Sequence, residues 1–232
     1  MRLDSELVQK INSSKYVLGV TGSMSCGKSY ACDQLEQIAK DSNIQVYKVN
    51  FDLMRRDILG TNPKYESARQ SLEDVFGPQI RKSDNSIDRT ILSQLIYYDS
   101  NAMAQYGAQL APHLKQYLDC ELTDRSGIIL VEWALLVEDQ LLDLVNYNVL
   151  LVTCTHNAQM NRLKDGDLSQ NEIKKRIAAQ LTNEQKRSEI LLQQKEAQKN
   201  GMNGELHLFD TTNDPSTPNY ESLFGKILSK VA

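Results

Sequence analysis

Apolar residues along this chain fall into short runs and longer periodic stretches that alternate. Residues 16–20, Tyr-Val-Leu-Gly-Val, form an apolar run that stops at Thr21-Gly22 and predict a buried strand. Residues 28–40 follow with helix formers at helical apolar spacing, and a second short strand is predicted over 44–49. From 53 to 125 no strand is predicted. Helical stretches around 64–75, 89–98 and 103–123 are separated there by Gly77-Pro78 and by the polar turn at 82–86. Strands resume at 128–133 and 147–154, a polar, lysine-rich helical region covers about 157–199, and a last strand at 205–211 precedes a short helix near 219–230. Strands alternating with helices predict the α/β class with a parallel sheet. The strand-free stretch reads as a helical insertion after the second strand.

Composition narrows the function classes. The chain has 232 residues, 41% apolar and 24% charged, enough for one sizeable core with a smaller subdomain and too apolar for a disordered chain. The net charge of −4 argues against non-specific nucleic-acid binding, which needs a basic face. The longest apolar stretch, 128–137, is interrupted by Glu132 and too short to span a bilayer, so no membrane partner is expected. The first ten residues, MRLDSELVQK, are polar and do not read as an export signal. Cys26, Cys32, Cys120 and Cys154 show no metal spacing and read as reduced thiols of a cytoplasmic protein. His113, His156 and His207 are scattered and read as capping or surface residues, not metal ligands.

Chemistry enters at Gly22-Ser-Met-Ser-Cys-Gly27-Lys28-Ser29, which fits G-x-x-x-x-G-K-[ST] and lies between a predicted strand and a predicted helix. In such a loop the glycines let backbone N–H groups turn inward around phosphates, and the following helix points its positive end at the same anion. Lys28 reaches the transferring phosphoryl group of ATP, and Ser29 offers its hydroxyl to Mg²⁺. The alternative is a glycine turn with a helix-capping serine. Lys28 is expected to pack little, on a surface loop. Cys26, at the foot of the helix and next to Gly27-Lys28, is either a thiolate favoured by the dipole and the ammonium or a small buried filler.

Two acids fall at predicted strand ends, where ligands bind in open parallel sheets. Asp52 follows the second strand as a catalytic group or as the N-cap of the next helix. Glu132 ends the third, near Mg²⁺ or substrate, or reaching solvent. Among the late basic residues, Lys164, Lys174, Lys175, Arg176, Lys186 and Arg187 read chiefly as a solvated helix face. Arg162 and Arg176 adjoin apolar residues and are the candidates for neutralising phosphoryl charge.

Together these segments resemble the dephospho-CoA kinase family, in order from about residue 16 to 212. The loop is similar to that family's GGIGSGKS, and Asn50-Phe51-Asp52 stands at its D-x-D. Phe76-Gly77 with Ile87-Asp88-Arg89-Thr-Ile-Leu92 resembles its FG and LDR-x-x-L. Leu110-Ala111-Pro112 stands at its L-H-P, Glu132-Trp-Ala-Leu-Leu-Val-Glu138 at its D-x-P-L-L-x-E, and Arg176-Ile-Ala-Ala-Gln180 with Glu184-Gln-Lys-Arg187 at its lid pattern. Departures are Asn50 for an acid, Ala111 for histidine, Ala134 for proline, Tyr30 for the common threonine, and a lid about one residue short near 164–167.

The resemblance implies a P-loop NTPase fold of the nucleoside-monophosphate-kinase type, three-layered around a five-stranded parallel sheet. Its nucleotide-binding core would be 1–52, 126–159 and 204–232, with a helical CoA-binding subdomain at 53–125, a lid at 160–190 and a helical insertion at 191–203. It implies ATP-dependent phosphorylation of the ribose 3′-hydroxyl of dephospho-CoA. Lys28, Asp52 as base and Arg176 would be catalytic. Gly22, Ser25, Cys26, Gly27, Lys28, Ser29, Tyr30 and Arg162 would hold the nucleotide, and Ser29 and Glu132 the metal. A kinase for another nucleoside or nucleotide, invited by Ala111 and Ala134, and a non-catalytic nucleotide-binding protein, invited by Asn50, stay open.

Overall fold

The structure is a computed structural model, and it describes residues 4–96, 99–164, 170–178, 180–213, 216 and 219–231. In chain order its regular elements are α1 (Ser5–Ser13), β1 (Lys15–Thr21), α2 (Lys28–Asp41), β2 (Val46–Asn50), α3 (Phe51–Leu59), α4 (Glu66–Phe76), α5 (Arg89–Ile96) and α6 (Ser100–Leu122). They continue with β3 (Gly127–Glu132), β4 (Val149–Thr153), α7 (His156–Leu163), α8 (Gln170–Ala178), α9 (Asn183–Lys199), β5 (Leu206–Asp210) and α10 (Tyr220–Val231). Two compact units result, one of Met1–Val49 with Leu122–Ala232, the other of Asn50–Glu121.

The first unit carries one five-stranded sheet in the order β2-β3-β1-β4-β5. β1 pairs in parallel with β3 and with β4, and β4 in parallel with β5. β3 and β4 are buried almost throughout, and β1 from Val17 onward. Strands covered on both faces read as unbroken apolar runs, which is why 16–20 and 128–133 are legible without alternation. One face of the sheet packs Leu18, Val20, Leu130, Leu150 and Val152 against Ala31, Leu35 and Ala39 of α2 and Leu223, Phe224 and Ile227 of α10. Those α2 positions lie four residues apart, the apolar stripe of a helix lying on a sheet.

One difference from expectation concerns the first helix: α1 precedes the first strand, with Asp4 accepting the Glu6 N–H as its cap. Residues 191–199 of the expected helical insertion at 191–203 form the second half of α9.

The second unit is helical. Its only strand-like feature among the described residues is an isolated bridge between Arg81 and Ile87. Met54, Ile58, Ala68, Leu72, Ile80, Leu92 and Leu110 are buried. Arg69 is buried too, and each nitrogen of its guanidinium donates: Nε and Nη2 to Glu66 Oε2 at 3.2 and 2.8 Å, and Nη1 to the Ile58 carbonyl at 3.0 Å. Pro112 sits inside α6 and withholds the N–H that the Ala108 carbonyl would accept in a regular helix.

Candidate active site

β1 is the central strand, and the glycine loop leaves its carboxyl end to open α2. Ser25 (φ 59°) and Gly27 (φ 91°) adopt left-handed backbone, which curls successive N–H groups toward one point. Gly22 has φ 143°, and a Cβ there would meet the Val152 carbonyl oxygen at 2.0 Å, so the loop lies on β4 closer than any side chain permits. The sequence thus places glycine where the backbone must turn and where it must touch the sheet.

Lys28 is 8% exposed, and its Nζ donates to the Ser23 carbonyl at 3.0 Å, folding back across the loop. This corrects the expectation that it packs little. Ser29 is exposed, and its Oγ donates to Glu132 Oε1 at 2.5 Å. The two residues expected to share a metal are therefore in contact, joining the first turn of α2 to the end of β3. Tyr30 is 38% exposed, with its ring centroid 6.1 Å from that of Tyr220, which packs in turn at 4.7 Å against Phe209.

Side chains from α7 and from the residue after β5 brace the loop through its carbonyl groups. Gln159 Nε2 donates to the Met24 carbonyl at 2.8 Å, and Thr211 Oγ1 to the Cys26 carbonyl at 2.6 Å. Arg162 Nη1 donates to the Ser25 carbonyl at 3.4 Å and to Thr211 Oγ1 at 3.3 Å, and its Nη2 donates to the Thr211 carbonyl. Arg162, expected to hold the nucleotide, adjoins the loop and donates to its carbonyl groups. The Met24 N–H is taken by Gln180 Oε1 at 3.0 Å, and Ser23 Oγ lies 3.4 Å from Asn183 Oδ1. Asn183 also donates to the Cys154 carbonyl at 3.1 Å, tying the start of α9 to the residue after β4.

A buried ion pair lies behind this region. Lys186 is 0% exposed; its Nζ donates to both carboxylate oxygens of Glu138 at 2.6 Å and to the Ala134 carbonyl at 3.0 Å. Glu138 Oε1 also accepts the Leu181 N–H at 3.0 Å, and the Ala134 carbonyl also accepts from Thr21 Oγ1 at 3.3 Å. Burial holds the Lys186 ammonium below its ordinary pKa, against the pull of Glu138. Reading Lys186 as part of a solvated face is therefore corrected. The available signal was its register with Ile190 and Ala197, the other buried residues of α9. Gln159, Asn183 and Thr211 were not anticipated, and Gln180 was noted only as the end of the lid pattern, with no contact to the loop expected of it.

Cys26 is 0% exposed, and burial pushes its thiol up; the opposing pull of Lys28 and Lys186 is smaller. The small-filler reading is the one the structure supports, and a reactive thiolate is not. Cys32 and Cys154 are buried as well, and Cys120 is exposed. Alkylation of the native protein with iodoacetamide followed by peptide mapping is expected to label Cys120 first and Cys26 only on unfolding. Equal rates at Cys26 and Cys120 would overturn this ordering.

Asp52 is the second residue of α3 and is exposed. It is not the cap: Asn50 Oδ1 accepts the Leu53 N–H at 3.1 Å, so the N-cap alternative belongs to Asn50. Arg176 is exposed on α8 and makes no hydrogen bond to the loop among the described residues. Residues 165–169, inside the expected lid and including part of the expected shortening near 164–167, lie outside the described residues. Among the described residues no group of three His, Cys, Asp or Glu side chains forms a metal site, and no helix is long and apolar enough to cross a membrane.

A family model described as dephospho-CoA kinase matches residues 16–198. A dephospho-CoA kinase of Pseudoalteromonas translucida is 25% identical over 188 residues, covering 81% of this chain and 85% of its relative. One from Geobacter sulfurreducens is 30% identical over 178 residues, covering 73% and 84%. The crystal structure of a Thermus thermophilus protein superposes with a TM-score of 0.66 at 18% identity, over 94% of this chain and 99% of the other, a likeness of fold.

Proposed function

This chain belongs to the dephospho-CoA kinase family, and we propose that it transfers the terminal phosphoryl group of ATP to the ribose 3′-hydroxyl of dephospho-CoA. The observation that carries this reading is the Ser29–Glu132 hydrogen bond of 2.5 Å beside the Lys28 loop. It puts a hydroxyl and a carboxylate, both hard oxygen donors, next to a phosphate cradle.

Those two groups fit Mg²⁺, which in phosphoryl-transfer sites takes one or two protein oxygens and completes its shell with phosphates and water. When bound, the ion neutralises charge on the phosphate oxygens. The chain's own residues do the rest. Backbone N–H groups between Gly22 and Lys28 hold phosphate oxygens, and the Lys28 ammonium leaves the Ser23 carbonyl to meet the transferring group. Arg162, Gln159 and Thr211 keep the loop in its curled form by holding three consecutive carbonyls, those of Ser25, Met24 and Cys26. Asp52 takes or orients the proton of the acceptor hydroxyl, a role supported by its place two residues beyond β2 and by the match to the family acid. Arg176 offers its exposed charge to the phosphoryl oxygens, and the helical unit Asn50–Glu121 supplies contacts to the acceptor.

A coupled ADP-release assay with Mg-ATP tests the reading. Turnover is expected with dephospho-CoA and not with a panel of nucleosides and nucleoside monophosphates. Preference for a nucleoside over dephospho-CoA would favour the other P-loop kinase reading, and ATP binding without any turnover the non-catalytic one.

A further inference from the structure

The joint between α8 and α9 is tied down at every residue from Gln180 to Asn183. The Gln180 N–H closes onto the Ile177 carbonyl at 3.1 Å, in the last turn of α8. The Leu181 N–H donates to Glu138 Oε1 at 3.0 Å. Thr182 starts α9 with a capping box shared with Gln185, and the Asn183 side chain donates to the Cys154 carbonyl at 3.1 Å. Arg176 lies on α8, five residues before Leu181.

Among these anchors Glu138 stands apart, because it is itself fixed by a fully buried lysine. Lys186 Nζ donates to both of its carboxylate oxygens at 2.6 Å and to the Ala134 carbonyl at 3.0 Å. That carbonyl also accepts from Thr21 Oγ1 at 3.3 Å, and Thr21 ends β1 directly before Gly22. One ion pair thus links the start of the phosphate loop, the turn after β3 and the joint before α9. Stability alone does not call for such a pair. Two charges taken out of water lose hydration that their attraction barely repays, and apolar side chains of similar size often pack as well or better. Apolar side chains cannot, however, accept the Leu181 N–H or hold the Ala134 carbonyl. The charges supply direction.

We propose that the Glu138–Lys186 pair positions the groups of phosphoryl transfer: by holding the Leu181 N–H it fixes the base of α8, and with it Arg176, relative to the phosphate loop. This rests on the reading of Arg176 as a charge that meets the phosphoryl oxygens. Glu138 and Lys186 are positioning residues and touch no substrate. A joint held in place only part of the time lowers kcat in proportion to the time lost. ATP affinity is left to the loop, whose carbonyl groups Gln159, Arg162 and Thr211 hold independently.

Glu138→Met/Lys186→Met removes one charge of each sign and fills the space with unbranched, adaptable chains. It is expected to melt near the wild type, as replaced buried pairs often do. Titration calorimetry should find Mg-ATP affinity within about 3-fold of wild type, while kcat with dephospho-CoA falls about 10-fold or more, the worth of a lost hydrogen bond to a charged acceptor. On top of Arg176→Ala the same exchange should cost less than about 3-fold further, because the residue it acts through is already gone. Glu138→Gln/Lys186→Met keeps a side-chain oxygen for the Leu181 N–H and should recover kcat to within about 3-fold of wild type. Wild-type kcat in the Met/Met variant, equal losses in the two double variants, or a full further loss on top of Arg176→Ala overturns the proposal. Should the Met/Met variant not fold, replacing Leu181 by its α-hydroxy acid removes only the N–H, leaves the pair intact and decides by the same loss of kcat, alone and with Arg176→Ala. An Arg176→Ala variant with unchanged kcat would sink the reading of Arg176 itself. A lowered kcat there, beside a full-rate Met/Met variant, would sink only this inference.

Discussion

Asp52→Asn is expected to keep Mg-ATP affinity and to lower kcat with dephospho-CoA by about 10²–10⁴-fold, the usual worth of a general base. The structure makes this a clean substitution. The cap of α3 is Asn50, so the exchange leaves the capping hydrogen bond to Leu53 in place. Asp52 is exposed, and the amide keeps its size. The loss to stability is the charge–dipole interaction in the first helical turn, about 0.3–1 kcal/mol. A kcat within a few-fold of wild type, in a variant that melts normally, would remove Asp52 from the chemistry.

Lys28→Ala is expected to lower kcat by about 10²–10³-fold, corresponding to roughly 3–4 kcal/mol of lost transition-state stabilisation. Its structural cost is larger than that of an exposed lysine, because the stem is buried and the ammonium is bonded to the Ser23 carbonyl. One net hydrogen bond is still worth only about 1 kcal/mol, well below the kinetic effect. Thermal unfolding and single-turnover rates on the same preparation separate the two. A folded variant with unchanged kcat would mean that the loop does not act on the phosphoryl group.

The sheet was legible because its central strands are covered on both faces and show as apolar runs. The phosphate loop was legible because glycine is required at two of its positions by the backbone itself: Gly27 at φ 91°, and Gly22 against the Val152 carbonyl. Contact between Ser29 and Glu132, 103 positions apart, followed from the rule that ligand groups collect at strand carboxyl ends.

What escaped had no local signal. Gln159 and Asn183 are neutral amides on polar helices, and nothing in their neighbours distinguishes a loop-bracing amide from a solvated one. Lys186 carried a clue in its register with Ile190, but charge is a stronger cue to exposure than register is to burial. At Cys26 the competing effects were identified from the sequence and their relative size was not. A thiol with no exposure loses more from burial than two nearby ammonium groups restore.

The carbonyl of Ala134, shared by Thr21 and Lys186, bears on whether alanine at a position where the resembling family has proline signals a change of function. Proline offers the same carbonyl, so the links from β1 to Lys186 and on to Glu138 need nothing that alanine lacks. The difference lies in the denatured ensemble: alanine leaves the chain more backbone freedom to lose on folding, a cost of about 0.4–1 kcal/mol where proline would fit unstrained. Where that fit holds, the exchange lowers heat resistance and leaves both hydrogen bonds to this carbonyl in place.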